Sequence, residues 1–209
     1  MLKTLCLAAA VAAVAMTPAF AQDHDRAGFY AGADIGYGKS KSDLSYTPRA
    51  GAVQSGDADK NGLRYGGFAG YGLALGESFY LGAEAGLGAG GGDISRTFGG
   101  NKISVEPKLR YSLVGKAGLR VGDGGLIYGK AGVERRRFEV STTRAKEDLK
   151  LQGVVYGVGY QQMLSEVISV RGELLRVDYG DKTASFAAGD RVKVDADETR
   201  LTFGGAVHF

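Results

Sequence analysis

The sequence is dominated by stretches in which apolar and polar residues alternate, a period of two that predicts β-strands. Eight such stretches occur, and each is long enough for a tilted membrane-crossing strand of ~9–11 residues. They cover residues 28–38, 62–73, 79–89, 103–121, 126–134, 152–162, 167–178 and 199–209. No run of about 18 apolar residues follows residue 21, so this part of the chain could cross a membrane only with strands.

The intervals between these stretches are of two kinds. Three are tight turns, at residues 76–78, 122–125 and 165–166, and four are long and polar, at residues 39–61, 90–102, 135–151 and 179–198. Short turns on one side and long loops on the other are typical of an up-and-down outer-membrane barrel. We therefore predict an all-β fold, an eight-stranded antiparallel up-and-down transmembrane β-barrel.

The two faces of the predicted strands differ in charge. The outward row, taken at every second residue of 29–37, 63–73, 79–87, 109–121, 127–133, 154–160, 168–174 and 201–209, carries no charge, and the charges inside the strands segregate almost completely to the opposite parity. A soluble half-buried sheet would also alternate. However, aromatic residues recur near the ends of the uncharged rows, and glycine crowds the charged face, which favours lipid outside and a narrow lumen inside. We predict that the lumenal charges pair across the barrel at mid-depth, in a network of Asp34, Glu84, Lys116, Lys130, Arg171 and Glu173.

The first residues indicate export. Lys3, an apolar run from Leu5 to Met16 and the small residues of Ala19-Phe20-Ala21 predict a cleaved signal peptide over residues 1–21 and a single barrel domain over residues 22–209. Cys6, the only cysteine, lies in that segment, so thiol, disulfide and cysteine-metal chemistry are not expected. The formal charge without Lys3 is one unit below the +3 of the whole sequence, which is too near balance to suggest a nucleic-acid partner.

Three stretches carry a resemblance to known proteins: residues 28–32 (GFYAG), 171–180 (RGELLRVDYG) and 201–209. They resemble the porin-like outer-membrane β-barrel family, the small OmpA-like and opacity-type surface proteins of Gram-negative bacteria. Leu174 and Arg176 stand where the family usually has tyrosine. The resemblance implies an outer-membrane location with extracellular loops and periplasmic termini. It also implies that the C-terminal pattern of Phe203, Val207 and Phe209 is read by the barrel-assembly machinery.

The sequence gives little support to catalysis. A serine hydrolase needs a base beside its nucleophile, usually histidine. Only His24 and His208 are available, and neither is expected near a lipid-facing serine. We predict no catalytic residue, no cofactor and no metal site; a lipid A-modifying barrel enzyme is the alternative.

The long loops are the expected binding regions, because loops on a rigid scaffold carry function. Arg135, Arg136 and Arg137 are predicted to form a basic rim that contacts lipopolysaccharide phosphates, although a solvated loop would explain them as well. The predicted function is a structural, surface-exposed envelope protein, whose partners are outer-membrane lipid, lipopolysaccharide and the assembly machinery, with host surface ligands a further option. The alternative is a narrow channel for small solutes.

Overall fold

The computed structural model describes residues 28–47, 54–91, 94–98, 101–141, 146–185 and 191–209. The predicted signal peptide and His24 lie outside these residues. The described chain forms nine strands: β1 (Gly28–Thr47), β2 (Gln54–Leu75), β3 (Phe79–Gly90), β4 (Ile94–Phe98), β5 (Asn101–Val121), β6 (Gly125–Ser141), β7 (Lys146–Met163), β8 (Ile168–Ser185) and β9 (Arg191–His208). The described residues contain no helix that is long and apolar enough to cross a membrane.

The sheet closes on itself, as predicted. Each strand pairs antiparallel with its neighbours, β1 pairs with β9, and β3 pairs with both β2 and β5. The short β4 follows β3 and also pairs with β5. The wall is therefore an eight-stranded up-and-down barrel in the order β1, β2, β3, β5, β6, β7, β8, β9.

The strands are longer than the alternation predicted. The four intervals assigned to long loops are largely strand: β1 continues to Thr47, β6 continues to Ser141, β8 continues to Ser185, and β4 lies inside the interval 90–102. The loop assignment was wrong there because period-two alternation requires one apolar face. Where both faces carry polar residues, backbone pairing continues without that pattern.

The side-chain faces follow the predicted parity. All residues assigned to the outward row are exposed except Gly172, which is intermediate. The inward row holds the buried charged residues and most of the glycines of the described strands. In this β-barrel the exposed apolar surface is the outside of the wall, where a lipid-facing band belongs.

Aromatic residues mark both edges of the outward apolar band. One girdle lies near the tight turns, where the Phe29 and Tyr71 rings are 4.7 Å apart in an edge-on contact. The other lies toward the opposite end and includes Tyr37, Tyr65 and Tyr111, all more than half exposed. Such girdles are expected at the two membrane interfaces of an outer-membrane barrel.

Candidate functional site

The lumen near the tight turns is filled by a group of polar side chains that we call the turn-side cluster. It contains the six residues predicted to form a network, together with two tyrosines. Its members are Tyr30 and Asp34 on β1, Glu84 on β3, Lys116 on β5, Tyr128 and Lys130 on β6, and Arg171 and Glu173 on β8.

Glu84 is the centre of this cluster. Lys130 Nζ donates to its Oε1 at 2.8 Å, and Arg171 Nη1 donates to its Oε2 at 2.5 Å. Lys116 Nζ lies 3.8 Å from Oε2. Because β3 and β8 are four positions apart in a ring of eight strands, the contact between Arg171 and Glu84 joins opposite walls of the barrel.

Two tyrosines complete the bonding of the acids. Tyr128 donates its hydroxyl to Glu173 Oε1 at 2.6 Å, and Lys130 Nζ is 3.1 Å from both oxygens of the same carboxylate. Tyr30 donates to Glu84 Oε2 at 3.2 Å. Neutral donors and cations therefore share the acceptor oxygens of both glutamates, which offsets part of the cost of burying charge.

Aromatic faces support the buried cations. The Lys116 side chain is 0% exposed, and its ammonium lies 4.2 Å from the Tyr128 ring centroid. The Arg171 guanidinium lies 3.3 Å from the Phe68 ring centroid. A desolvated cation over an aromatic face gains about 2 kcal/mol.

A second group, the rim-side cluster, fills the lumen farther from the turns. It consists of Ser40 on β1, Arg64 on β2, Glu134 and Arg136 on β6, Tyr179 on β8, and Glu198 and Arg200 on β9. Arg110 on β5 lies between the two clusters, with Nη2 3.5 Å from Asp34 Oδ1.

The two acids of the rim-side cluster each bond to arginine. Glu198 accepts from Arg64 Nε at 3.0 Å and from Arg136 Nη1 at 2.6 Å. Glu134 accepts from Arg200 Nη2 at 2.6 Å and from the Tyr179 hydroxyl. Since β6 and β9 are three positions apart in the ring, these contacts also cross the lumen.

The structure corrects the predicted basic rim at one position. Arg136 is 2% exposed and bonds to Glu198, whereas Arg135 and Arg137 point outward and are exposed. The three arginines were assigned to a loop, where they could share one surface. They lie in β6 instead, and successive strand residues face opposite sides.

The rim-side cluster was not predicted from the sequence. Its signal was present, because Arg64, Glu134 and Arg200 have the inward parity within the predicted strands. Arg136 and Glu198 fall in the intervals assigned to loops, so their partners were not recognised.

Glycines on the inward face make room for the large lumenal side chains. A Cβ atom at Gly159 on β7 would lie 2.5 Å from Tyr128 Cζ, and one at Gly88 would lie 2.3 Å from Arg110 Nε. In this narrow lumen, a glycine on one strand therefore leaves space for an aromatic ring or a guanidinium group from the neighbouring strand.

The chain end forms part of the wall. Phe203, Val207 and Phe209 all point outward and are exposed, and the Phe209 amide donates to the Phe29 carbonyl at 2.9 Å. The three short turns and Gly28 lie at this same end of the barrel.

His208 contacts a serine, but that serine faces the lumen. Ser169 Oγ lies 2.8 Å from His208 Nε2, and Ser169 is 1% exposed. Among the described residues, no group of three or more His, Cys, Asp or Glu side chains is arranged to hold a metal ion.

A closed sheet with an apolar exterior, aromatic girdles and an ion-filled interior defines a transmembrane β-barrel. The sequence profile of the family described as "Outer membrane protein beta-barrel domain" matches residues 6–209, and the chain belongs to that family. No curated protein sequence matches the chain.

Several solved structures are similar to this chain. The outer membrane protein OprG from Pseudomonas aeruginosa matches with a TM-score of 0.55 and 15% identity, over 90% of this chain and 99% of that one. Neisserial surface protein A matches with a TM-score of 0.51 and 14% identity, over 87% and 97%. The outer membrane protease OmpT from Escherichia coli matches with a TM-score of 0.41 and 11% identity, over 90% and 100%. At 14–15% identity, the likeness to OprG and to neisserial surface protein A is one of fold alone.

Proposed function

We propose that this outer-membrane barrel is a structural envelope protein with a closed lumen, without catalytic activity, whose outer rim binds lipopolysaccharide. A barrel of eight strands has an interior just wide enough for side chains. The protein would therefore contribute its wall and its rim to the membrane, and its interior would serve stability.

The observation that carries this proposal is the contact between Arg171 Nη1 and Glu84 Oε2, 2.5 Å long and joining opposite walls. The bonds of Arg136 to Glu198 and of Arg200 to Glu134 cross the lumen a second time, nearer the rim. Two layers of buried, bonded ions support the proposal that the lumen has no continuous path for water of the kind found in ~16-stranded porins.

Conductance across a planar bilayer tests the closed lumen against the narrow-channel alternative. We expect the folded protein to give no steady conductance. A double variant that removes both anchors, Glu84→Ala with Glu198→Ala, should conduct more than the parent if it inserts. Steady conductance of the unaltered protein, comparable with that double variant, would contradict the closed lumen.

Lipopolysaccharide contact is proposed for Arg135 and Arg137. Both point outward, and Arg135 pairs across the sheet with Tyr111, at the edge of the aromatic girdle. A guanidinium at that height is placed to form charge-assisted bonds with lipid A phosphates. Arg136, which is buried, is not part of this surface.

The lipopolysaccharide proposal is tested by retention of the lipid on the folded barrel in micelles. We expect Arg135→Gln with Arg137→Gln to retain less lipopolysaccharide and to make cells more sensitive to detergent and polymyxin. Gln152→Ala is the matched control, because Gln152 accepts from Arg135 Nε at 3.0 Å but carries no charge. Equal retention by all three proteins would exclude the contact.

We also propose that the short turns and both chain ends face the periplasm, with the opposite rim outside the cell. The absence of cysteine after residue 6 makes the orientation easy to test. A membrane-impermeant maleimide should label Asn61→Cys on intact cells, and Glu77→Cys only after the outer membrane is permeabilised. The reverse order of labelling would invert the topology.

The outward C-terminal residues are proposed to guide assembly. Phe209→Ala is expected to lower the fraction of chains that show the folded mobility in unheated SDS gels of outer membranes. Leu164→Ala, at an exposed apolar residue beside a turn, is the control. Equal folded fractions for the two variants would argue against the signal.

A further inference from the structure

The outward cations at the rim differ in whether an acid lies beside them. Lys39 Nζ on β1 is 3.2 Å from Asp59 Oδ2, and Arg176 Nη2 on β8 is 3.4 Å from Asp197 Oδ2. Lys41 pairs across the sheet with the same two acids, Asp59 and Asp197. Opposite charges so close together largely cancel for a third group farther away. This part of the rim therefore attracts an external phosphate only weakly.

Strand β6 carries two outward arginines without such a neighbour. Arg135 Nε donates to the neutral Gln152 at 3.0 Å, and within the described part of the chain no carboxylate is within salt-bridge distance of Arg135 or Arg137. Both side chains are exposed and lie two residues apart on the outward face, which separates their Cα atoms by about 7 Å. Two guanidinium groups at this spacing can donate to the same phosphate by charge-assisted bonds.

The wall below these arginines contains a patch of small residues, which we call the β5–β6 recess. It consists of two neighbouring cross-strand pairs, namely Gly115 with Ala131 and Ala117 with Gly129. All four residues point outward and are exposed. Larger exposed side chains border the recess on three sides: Leu113 and Val133 toward the rim, Leu119 and Ile127 toward the turns, and Tyr156 and Val158 on β7. The recess is therefore a shallow depression in the lipid-facing wall.

The packing of the barrel does not require the two glycines of the recess. A Cβ atom at Gly115 would meet nothing closer than the Ala131 carbonyl oxygen at 3.9 Å, and one at Gly129 nothing closer than the Ala117 carbonyl oxygen at 3.9 Å. Glycine weakens the interior of a strand and often marks a place where a ligand approaches the backbone closely. Because the open space lies on the outside of the wall, such a ligand would come from the membrane.

We propose that one lipopolysaccharide molecule binds at a fixed position on this side of the barrel. A lipid A phosphate contacts Arg135 and Arg137, and one acyl chain lies in the β5–β6 recess. Ala131 is four residues below Arg135 on the same strand, about 13 Å along it, so one lipid reaches both contacts. This position rests on the proposed lipopolysaccharide contact, to which it adds the acyl-chain site and a stoichiometry of one lipid per barrel.

Native mass spectrometry of the barrel, folded in micelles with lipopolysaccharide, tests this position. We expect one tightly retained molecule per barrel and weaker retention of phosphatidylglycerol, whose phosphodiester carries a single charge. Gly115→Leu with Gly129→Leu fills the recess and should raise the dissociation constant at least about tenfold, the loss of roughly two buried methylene groups. Gly67→Leu with Gly205→Leu is the matched control. These outward glycines lie outside the recess and are similarly open, with nearest atoms 3.6 and 3.7 Å from a new Cβ.

Several results would overturn the fixed position. They are unchanged retention when the recess is filled, an equal loss in the control variant, several lipids retained with similar affinity, or equal retention of phosphatidylglycerol. If the filled recess has no effect but Arg135→Gln with Arg137→Gln retains less lipid, the acyl-chain site is wrong and the proposed contact stands. If the arginine variant also retains the lipid fully, the contact itself is wrong.

A second variant covers the case in which the double leucine variant does not fold. Gly129→Ile adds a single β-branched residue, a type that suits an outward strand position. It should still lower the retention of lipopolysaccharide, because its side chain occupies part of the recess. Retention equal to that of the unaltered protein would count against the recess.

Discussion

At the scale of single residues, the interior is organised by acids that bond to several cations at once. Glu84 contacts Lys130, Arg171 and Lys116, and Tyr30 donates to it as well. Removing one partner of a buried ion pair costs more free energy of folding than the intact pair contributes, because the remaining charge stays buried without a counter-charge. The central acid is therefore the most sensitive position of the lumen.

Glu84→Gln is expected to destabilise the folded barrel by about 3–5 kcal/mol, since it leaves three cations around a neutral amide. Urea unfolding in micelles, followed by the loss of folded mobility in unheated SDS gels, measures the change. Glu77→Gln, the same substitution at an exposed turn residue, should have almost no effect. Similar stabilities of the two variants would mean that the buried network contributes little.

A glycine prediction follows from the narrow lumen. Gly159→Ala would place a methyl group 2.5 Å from Tyr128 Cζ and displace the ring from its 2.6 Å bond to Glu173. We expect a loss of about 1–3 kcal/mol, the usual cost of overpacking a core.

Gly129→Ala is the matched control for this substitution. Gly129 faces outward, and its nearest neighbour to a new Cβ is the Ala117 carbonyl oxygen at 3.9 Å. If unfolding of both variants occurs at the same urea concentration, the inward glycines do not act by making space.

At the scale of strands, the period of two predicted which residues belong to the wall and which way they point. It succeeded where one face meets lipid, as in the outward row of β5 from Leu109 to Val121. It failed beyond the lipid band, where β6 continues through Arg135 to Ser141. There the chain is paired, but charged residues stand on both faces, with Arg135 outward and Arg136 inward, so the sequence shows no contrast between apolar and polar positions.

The same limit explains what could be foreseen of the candidate site. Inward parity was enough to select Glu84, Lys130 and Arg171, because each lies within a strongly alternating stretch. Arg136 was placed on the surface because its strand was not recognised. Which cation bonds to which acid could not be predicted either, since that depends on the ring order of strands and on side-chain reach across the lumen.

A charge on the lipid-facing row should be costly. Leu113 on β5 is 60% exposed and lies within the outward apolar row. Leu113→Arg is expected to destabilise the barrel in lipid bilayers by about 2–4 kcal/mol if it lies near the midplane. Asn61→Arg, an outward exposed position beyond the Tyr65 girdle, should cost much less. Urea unfolding from bilayers compares the two, and equal costs would be inconsistent with the assigned lipid band.

At the scale of the whole molecule, the barrel inverts the arrangement of a soluble protein. Its large apolar side chains are on the outside, with Phe29, Leu113 and Phe203 each at least 60% exposed. Many of its charges are inside, where Arg64, Glu198 and Arg200 are each 1% exposed. Membership of the outer membrane β-barrel family agrees with that inversion. Function at this scale rests on the site and not on the fold, since one fold serves many roles.

The most direct test of this inversion is fluorescence quenching of single tryptophan probes, because the sequence contains no tryptophan. The protein is folded into bilayers, and tryptophan is placed at Leu113 on the outward row or at Phe68, a buried ring in the lumen. We expect lipids with brominated acyl chains to quench Leu113→Trp strongly and Phe68→Trp weakly, and aqueous acrylamide to quench neither efficiently. Efficient acrylamide quenching at position 113, together with no effect of the brominated lipids, would contradict the account.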